Sequence, residues 1–180
     1  TLDPELQDVA ATALRHALEK YDRDQGIWRG TGKTISTDLL DDEAAWREAL
    51  RDVEVPRDIE LDGKWHPAVV LFVGNRDARI GIEGVPDDAD GHFINPADVT
   101  WARKQLEDDE LGPKAKVAGD LLREGEVVLV REVKDEDGNF ERWSLRQVSE
   151  VQGGFMAMDV NNGRVLAMQG GFSYEQSVFN

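Results

Sequence analysis

The sequence lacks cysteine, contains only three histidines and has no long run of apolar residues. Without cysteine the chain cannot form a disulfide, a thiol nucleophile or a zinc–thiolate site. The absence of cysteine does not select a compartment, because reducing and oxidising compartments both contain cysteine-free proteins. Because no run of about 18 apolar residues is present, the sequence predicts no membrane-spanning helix within these residues.

Basic residues are also scarce. The sequence has 21 lysines and arginines against 37 acidic residues, a formal net charge of −16, and no cluster of basic residues stands out. Such a charge repels phosphate backbones, so the composition argues against generic nucleic-acid binding. A length of 180 residues is enough for one ordinary domain, or for one small domain with part of another.

The first residues predict an amphipathic helix. Asp3 can cap it, Pro4 suits the first helical position, and we expect the helix to run to about Arg23 and to end before Gly26. Its apolar residues recur at helical spacing and therefore form one apolar stripe along the helix. The members of the stripe are Leu6, Val9, Ala10, Ala13, Leu14, Ala17, Leu18 and Tyr21.

The last residues predict a buried β-hairpin. Phe155–Val160 and Val165–Met168 are apolar almost throughout, and Asn161–Gly163 between them is a typical hairpin turn. The sequence stops at Asn180 soon after this hairpin, and it starts without an initiator methionine. We therefore expect a part of a longer chain, in which a small β domain is inserted between two segments of a host domain.

The central residues predict short strands. A helix is expected from Glu43 to about Val53, capped by Asp41 or Asp42. Strands are then predicted at Trp65–Val73, Ala78–Ile82, His92–Ile94, Val127–Val130 and Phe140–Val148. A helical or irregular connection, anchored by Trp101, is expected over Pro96–Leu111. Five strands with a helix between the third and the fourth are typical of an OB-fold barrel.

Three motifs invite a ligand-binding interpretation and fail on spacing. Gly32-Lys33-Thr34 resembles the end of a phosphate-binding loop, but Gly26 lies one residue too far upstream and follows a helix. We therefore interpret this segment as an exposed turn. The acidic segments 87–91 and 135–138 lack the ligand pattern of an EF-hand and are interpreted as β-turns.

The remaining candidates also lack the partners that chemistry requires. His16, His66 and His92 are scattered, and Ser173 and Ser177 have no lysine three residues later to activate them. The sequence therefore predicts no catalytic, cofactor-binding or metal-binding residue. We expect most tryptophans to anchor the core, although exposed ones could stack on sugars; the five are Trp28, Trp46, Trp65, Trp101 and Trp143.

Both ends of the sequence resemble a known family, the class A penicillin-binding proteins, which are bifunctional peptidoglycan synthases. The resemblance rests on Thr1–Gln7, Tyr21–Arg23, Gly26–Gly30, Leu145–Gln152, Phe155–Asp159, Gly163–Phe172 and Ser177–Asn180. Residues 96–103 and 121–130 are similar to the OB-like insert of these synthases. The sequence departs from the family at Val160-Asn161, where Asp-Pro is frequent, and at Gln169, where valine is common.

The resemblance implies an α+β chain with a small OB-like β-barrel inserted between an N-terminal helix and a C-terminal β-hairpin of a transpeptidase module. The implied boundaries are residues 1–26 for the helix, 27–150 for the barrel domain and 151–180 for the hairpin. The family's catalytic serine and lysine, its glycosyltransferase module and its membrane anchor would lie outside these residues. The resemblance thus implies that this segment is non-catalytic and binds no cofactor. It also implies that the segment lies in the periplasm, as part of a synthase that is anchored in the bacterial inner membrane.

The partners that the resemblance implies are the rest of the transpeptidase module and a regulatory lipoprotein or another protein of cell-wall synthesis. A docking, regulatory or spacer role in cell-wall synthesis is the favoured hypothesis. The alternative is a module that binds oligosaccharide strands, since OB-folds also bind oligosaccharides. An intact small enzyme of unrelated type is the least favoured hypothesis, because no nucleophile with its base is found.

Overall fold

The computed structural model describes residues 3–150 and 154–170. Two α-helices lie in these residues, α1 (Pro4–Gln25) and α2 (Glu43–Arg51). The strands are β1 (Ile27–Trp28), β2 (Trp65–Val73), β3 (Ala78–Ile82), β4 (His92–Ile94), β5 (Arg103–Gln105), β6 (Leu111–Lys114), β7 (Val127–Lys134), β8 (Phe140–Arg146), β9 (Gly154–Met158) and β10 (Val165–Gly170). The chain divides into two compact units, residues 1–25 with 148–180 and residues 26–147.

In the first unit, α1 begins at the predicted cap. Oδ1 of Asp3 accepts hydrogen bonds from the N–H groups of Glu5 and Leu6 at 3.0 and 3.2 Å, which satisfies two of the donors that open a helix. The helix runs two residues beyond the predicted end and stops before Gly26, whose φ of 70° suits the residue after a helix. The predicted start is confirmed.

Only part of the predicted apolar stripe of α1 is covered. The helix packs against β10 and β9, with Ala10 and Leu18 buried and Leu6 and Leu14 half-buried. The neighbouring row of the stripe is exposed and consists of Val9, Ala13, Ala17 and Tyr21. The apolar stripe is wider than the strip of helix surface that two strands cover.

The hairpin of the first unit is confirmed, with one correction. β9 and β10 pair antiparallel, with Met158 opposite Val165 and Gly154 opposite Gly170. The predicted first strand ends two residues early, because Val160 lies in the turn and is 96% exposed. There Gly163 takes a φ of 71°, as an Asn-Gly turn requires. The resembling residues 171–180 lie outside the described residues.

In the second unit, five antiparallel strands form a nearly closed barrel in the order β4-β3-β2-β7-β8. β4 and β8, the two edge strands, approach each other and complete the wall. β2 and β7 lie in the middle of the sheet. β2 is apolar except for His66, and β7 begins with four buried apolar residues, Val127–Val130, before it continues into charged ones. The barrel interior contains Ala68, Val70, Ala78, Ile80, Ile82, Val128, Val130 and Leu145.

The helix α2 covers the outer face of the barrel. Trp46 and Leu50 pack there against Val69 and Val127, which are register partners on β2 and β7. The helix begins at Asp42, whose side chain accepts from the N–H of Ala45. It ends at Arg51, two residues before the predicted end.

The early end of α2 has a physical cause in Arg57. Its guanidinium donates to the carbonyls of Leu50 and Val53 at 2.9 and 3.0 Å and to both carboxylate oxygens of Glu83. This side chain supplies further donors to carbonyls at the end of the helix.

The connection between the third and fourth barrel strands was predicted to be helical or irregular, and the helical alternative was wrong. Residues 96–111 begin with a short 3-10 turn, Pro96–Asp98, and continue into β5, which pairs with β1 on one side and β6 on the other. Arg103 lies opposite Ile27 and opposite Lys114. Trp101 is half-buried and contacts Trp28 edge to face at 6.1 Å. The helix of this unit instead precedes the barrel.

Candidate docking surface

Gly32-Lys33-Thr34 does not form a phosphate-binding loop between a strand and a helix. Gly32 and Lys33 are in an exposed loop, as predicted, and Thr34 bridges to Glu126. Across residues 3–150 and 154–170, no three His, Asp or Glu side chains are grouped so as to hold a metal ion. Ser173 and Ser177 lie outside the described residues.

The two acidic segments are β-turns held by their own carboxylates. Oδ1 of Asp135 accepts from the N–H groups of Asp137 and Asn139, both at 2.9 Å. Oδ1 of Asp88 accepts from the N–H of Gly91 at 2.9 Å. These oxygens cap the turns from within, which confirms the interpretation made from the sequence.

Two histidines that are far apart in sequence meet on Trp143. The rings of His66 and His92 lie edge-on to its indole, with centroids at 5.8 and 6.0 Å. Trp143 Nε1 donates to Nδ1 of His92 at 3.3 Å, and Nε2 of His92 lies 2.9 Å from the carbonyl of Pro86. This pattern assigns the proton of a neutral His92 to Nε2. Burial lowers the pKa of His66, opposed by the carbonyl of Glu83.

An ion pair reinforces the seam between β4 and β8. Arg142 on β8 bonds to Asp98, whose side chain is 2% exposed. Burial raises the pKa of Asp98, although the charge of Arg142 acts in the opposite direction. The seam is thus closed by side chains, through this pair and through Trp143 with His92.

A cleft of about 140 Å³ remains at the seam, next to Phe93, Phe140 and Arg142. Arg142 at this cleft is already paired with Asp98, and the ring of Trp143 is covered by its neighbours, with a residue exposure of 5%. Phe140 is 53% exposed and is the aromatic ring of this cleft most open to solvent. The seam cleft is therefore small and mostly occupied by its own contacts.

A larger cleft lies on the β5–β6 pair, and we call it the lysine cleft. It measures about 370 Å³ and is lined by Lys104, Leu106, Gly112, Pro113, Lys114, Lys116 and Asp120. Three ammonium groups therefore surround an apolar surface, on a chain with a net charge of −16. None of the three lysines forms an ion pair with a described residue.

Acidic groups lie around the lysine cleft and offset part of its positive charge. Oδ2 of Asp120 accepts from the N–H groups of Lys116 and Val117 at 2.8 and 3.2 Å, and these bonds lower the pKa of Asp120. Burial raises the pKa of Glu126, with the charge of Lys104 opposing the rise. Residues 107–110 are all acidic and form the turn at the far end of the same strand pair.

The sequence did not reveal this cleft. Lys104 is separated from Lys114 and Lys116 by the acidic residues 107–110, so no basic cluster is visible along the chain. Pairing of β5 with β6 brings the three lysines to one surface. The one available signal that this segment is not helical was Gly112-Pro113, which follows the acidic residues and disfavours a helix there.

The barrel identifies the class of domain. Five antiparallel strands closed by a side-chain seam, with additional short strands between the third and fourth, define an OB-like β domain. Residues 28–151 match the family model of the penicillin-binding protein OB-like domain. The chain belongs to this family, and the resemblance inferred from its sequence is confirmed.

Similar proteins extend over the whole chain. Penicillin-binding protein 1A of Rickettsia typhi is 33% identical over 180 residues, which are 100% of this chain and 19% of that protein. Penicillin-binding protein 1A of Vibrio cholerae is 31% identical over 100% of this chain, and that of Escherichia coli is 29% identical. The chain spans about a fifth of the length of these relatives.

A solved structure has the same fold. The crystal structure of penicillin-binding protein 1A from Haemophilus influenzae aligns with a TM-score of 0.58 at 21% identity, covering 99% of this chain and 22% of that chain. The α+β architecture, with an OB-like barrel placed in sequence between a helix and a hairpin, is therefore confirmed. Within the described residues, neither helix has the length and apolar character needed to cross a membrane.

Proposed function

We propose that this chain provides a non-catalytic docking, regulatory or spacer module to a longer peptidoglycan synthase with glycosyltransferase and transpeptidase activities. Membership of the OB-like domain family and the names of the similar proteins support the assignment to cell-wall synthesis. In this proposal the longer protein is anchored in the bacterial inner membrane and the chain lies in the periplasm.

The observation that carries the docking role is the lysine cleft. Three lysines, of which Lys114 and Lys116 are exposed, lie next to exposed Leu106 and Leu111, so the cleft offers a partner both positive charge and apolar surface. The rest of the chain is strongly acidic, so the cleft is a site of opposite charge that a partner can recognise.

Growth of cells that depend on a full-length synthase carrying this domain tests the docking role. Replacing Lys114 and Lys116 by glutamate should impair growth, while the purified synthase retains both catalytic activities. The matched control replaces Lys64 and Lys134, which are also exposed, by glutamate, and this change should leave growth normal. Normal growth of the Lys114→Glu/Lys116→Glu strain would contradict docking at this cleft.

The non-catalytic assignment has its own test. Ser173 and Ser177 lack the lysine that a serine acyltransferase of this type uses as its base. The 180-residue chain should therefore remain unlabelled by a fluorescent penicillin that labels a full-length class A penicillin-binding protein. Covalent labelling of the chain would place an active serine within it and would overturn the assignment.

Glycan binding is the second candidate, and the exposed ring of Phe140 at the seam cleft is the observation that favours it. Soluble peptidoglycan fragments should then shift the backbone NMR signals of residues 91–95 and 140–143. The small volume of that cleft and the pairing of Arg142 make this the weaker candidate. An unchanged spectrum at millimolar fragment would exclude it.

The exposed row of α1 gives a role to the first unit. Val9 and Tyr21 are 64% and 53% exposed, and the longer relatives contain about four-fifths of their length outside this chain. We propose that this row packs against another segment of the transpeptidase module. In the full-length protein, Val9→Asp should lower the melting temperature, whereas in the 180-residue chain it should change it little.

A further inference from the structure

The free edge of β6 passes along the lysine cleft. The order β1-β5-β6 gives β6 a neighbour on one side only. The N–H of Ala115 donates to the carbonyl of Ala102 at 2.9 Å, and Lys114 lies opposite Arg103. Because residues of an antiparallel pair alternate between bonding toward the neighbour and away from it, the N–H and carbonyl of Lys114 point away from β5.

Pro113 does not block this edge. It precedes Lys114, so the alternation places its position on the side of β5, where its missing N–H costs nothing to a strand arriving from outside. Gly112 adds no side chain to the cleft, and a Cβ atom there would crowd the carbonyl oxygen of Lys104 at 3.3 Å. Backbone bonding groups and cleft are therefore accessible together.

The charges along the edge change sign from one end to the other. Lys114 and Lys116 are at one end, and the acidic turn 107–110 is at the other. Leu111, which is 42% exposed, lies between these ends in sequence, and Leu106, which is 49% exposed, directly precedes the acidic turn. A partner segment that matches this surface has carboxylates toward the lysines, an apolar residue in the middle and a basic end toward the turn.

We propose that an extended, acidic segment of a partner protein binds in the lysine cleft by adding as a strand to β6. The proposal rests on the docking function above and specifies its occupant. Main-chain hydrogen bonds to the free edge would provide affinity, and the lysines would select carboxylates. An extended polyanion such as a nucleic acid or an anionic membrane is a poor occupant, because the net charge of −16 repels it beyond the cleft.

Fluorescence anisotropy with the 180-residue chain tests the charge requirement. The probe is a labelled synthetic peptide in which valine alternates with glutamate and two lysines follow, prepared in both chain directions. Saturable binding is expected for one direction, with amide NMR shifts at Leu111, Gly112 and Lys114. The Lys114→Glu/Lys116→Glu variant should weaken binding by about tenfold or more, and added salt should weaken it further. The Lys64→Glu/Lys134→Glu variant should bind as the unchanged chain does.

N-methylated versions of the same peptide test the strand addition. Alternate backbone amides face β6 in a strand, so we methylate one alternate set in one peptide and the other set in a second peptide. One of the two peptides should lose about tenfold or more in affinity and the other should keep its affinity. Equal affinities would overturn the strand addition.

The outcomes separate this inference from the docking function. If neither peptide direction binds while Lys114→Glu/Lys116→Glu still impairs growth, the extended acidic occupant is wrong and the docking function stands. If heparin or anionic vesicles bind the chain more tightly than the peptide, the acidic protein segment is likewise wrong. Melting curves of both double variants should match that of the unchanged chain, which shows that the binding comparison is made on folded protein. If the Lys114→Glu/Lys116→Glu variant does not fold, the single variant Lys114→Gln takes its place.

Discussion

The indole of Trp46 occupies the space that a side chain at Gly81 would need. A Cβ atom at Gly81 would lie 2.4 Å from Cη2 of Trp46 and 2.7 Å from two further ring atoms. Trp46 belongs to α2 and Gly81 to β3, and both are buried. The outer helix therefore contacts the barrel wall directly, at a position where the strand has no side chain.

Gly81→Ala should destabilise the second unit by about 1–3 kcal/mol, because a methyl group would overpack this contact. Urea unfolding followed by tryptophan fluorescence measures it, since all five tryptophans lie in residues 26–147. Adding Trp46→Phe should recover about 1 kcal/mol of the loss, because the smaller ring leaves space. If the double variant lost as much unfolding free energy as the two single variants together, the Trp46 ring would not be the cause of the destabilisation by Gly81→Ala.

Arg57→Lys should cost about 1–3 kcal/mol of unfolding free energy, although charge is kept. The guanidinium binds Glu83 with two nitrogens and also the carbonyls that end α2, and an ammonium group cannot reproduce this geometry. Arg51→Lys, at an exposed position of the same helix, is the control and should change the free energy by less than about 0.5 kcal/mol. Equal effects of both changes would contradict the role of Arg57.

Gln147→Leu should destabilise the second unit by about 1–3 kcal/mol, because the amide replaces a missing strand for β1. Its Oε1 accepts from the N–H groups of Arg29 and Gly30 at 2.9 and 3.2 Å, and its Nε2 donates to the carbonyl of Ile27 at 2.8 Å. Gln105→Leu, where the side chain is exposed, is the matched control. Hydrogen exchange should report faster exchange at Arg29 and Gly30 in the Gln147→Leu variant only.

The pH dependence of stability should contain a contribution from His66. Its pKa is lower in the folded chain than the unfolded value of about 6.5, because burial disfavours the imidazolium. Between these two pKa values the unfolded chain binds more protons, so this stability is complete above about pH 6.5 and is lost as the pH falls through the folded pKa.

His66→Phe should remove this loss of unfolding free energy below about pH 6.5, relative to the unchanged chain. NMR titration of the ring protons supplies the second measurement and should place the midpoint of His66 below the ordinary value. A midpoint at or above the ordinary value would contradict the effect of burial.

Local chemistry made some elements predictable. β2, β3 and β4 have the predicted bounds, because apolar runs bounded by glycine and aspartate turns carry that information within a few residues. The end of α2 was missed because Arg57 binds its last carbonyls. β5 and β6 were missed because three- and four-residue strands have too little periodicity to be distinguished from loop.

The candidate site was less predictable than the fold. The seam depends on Asp98 meeting Arg142, which is 44 residues away. The lysine cleft depends on a strand pair that the sequence did not indicate. Side chains of like charge that are separated by an acidic segment give no pattern along the chain, so only their pairing in three dimensions reveals them.

The sequence alone determined the family, the helix start at Asp3, the turn before Gly163 and most of the barrel strands, because capping, turn conformation and hydrophobic periodicity act between near neighbours. The tertiary structure decided which row of α1 is covered, how β4 and β8 close the barrel, and which lysines share a surface. Those outcomes depend on contacts between residues far apart in the chain, and such contacts exist only once the chain has folded.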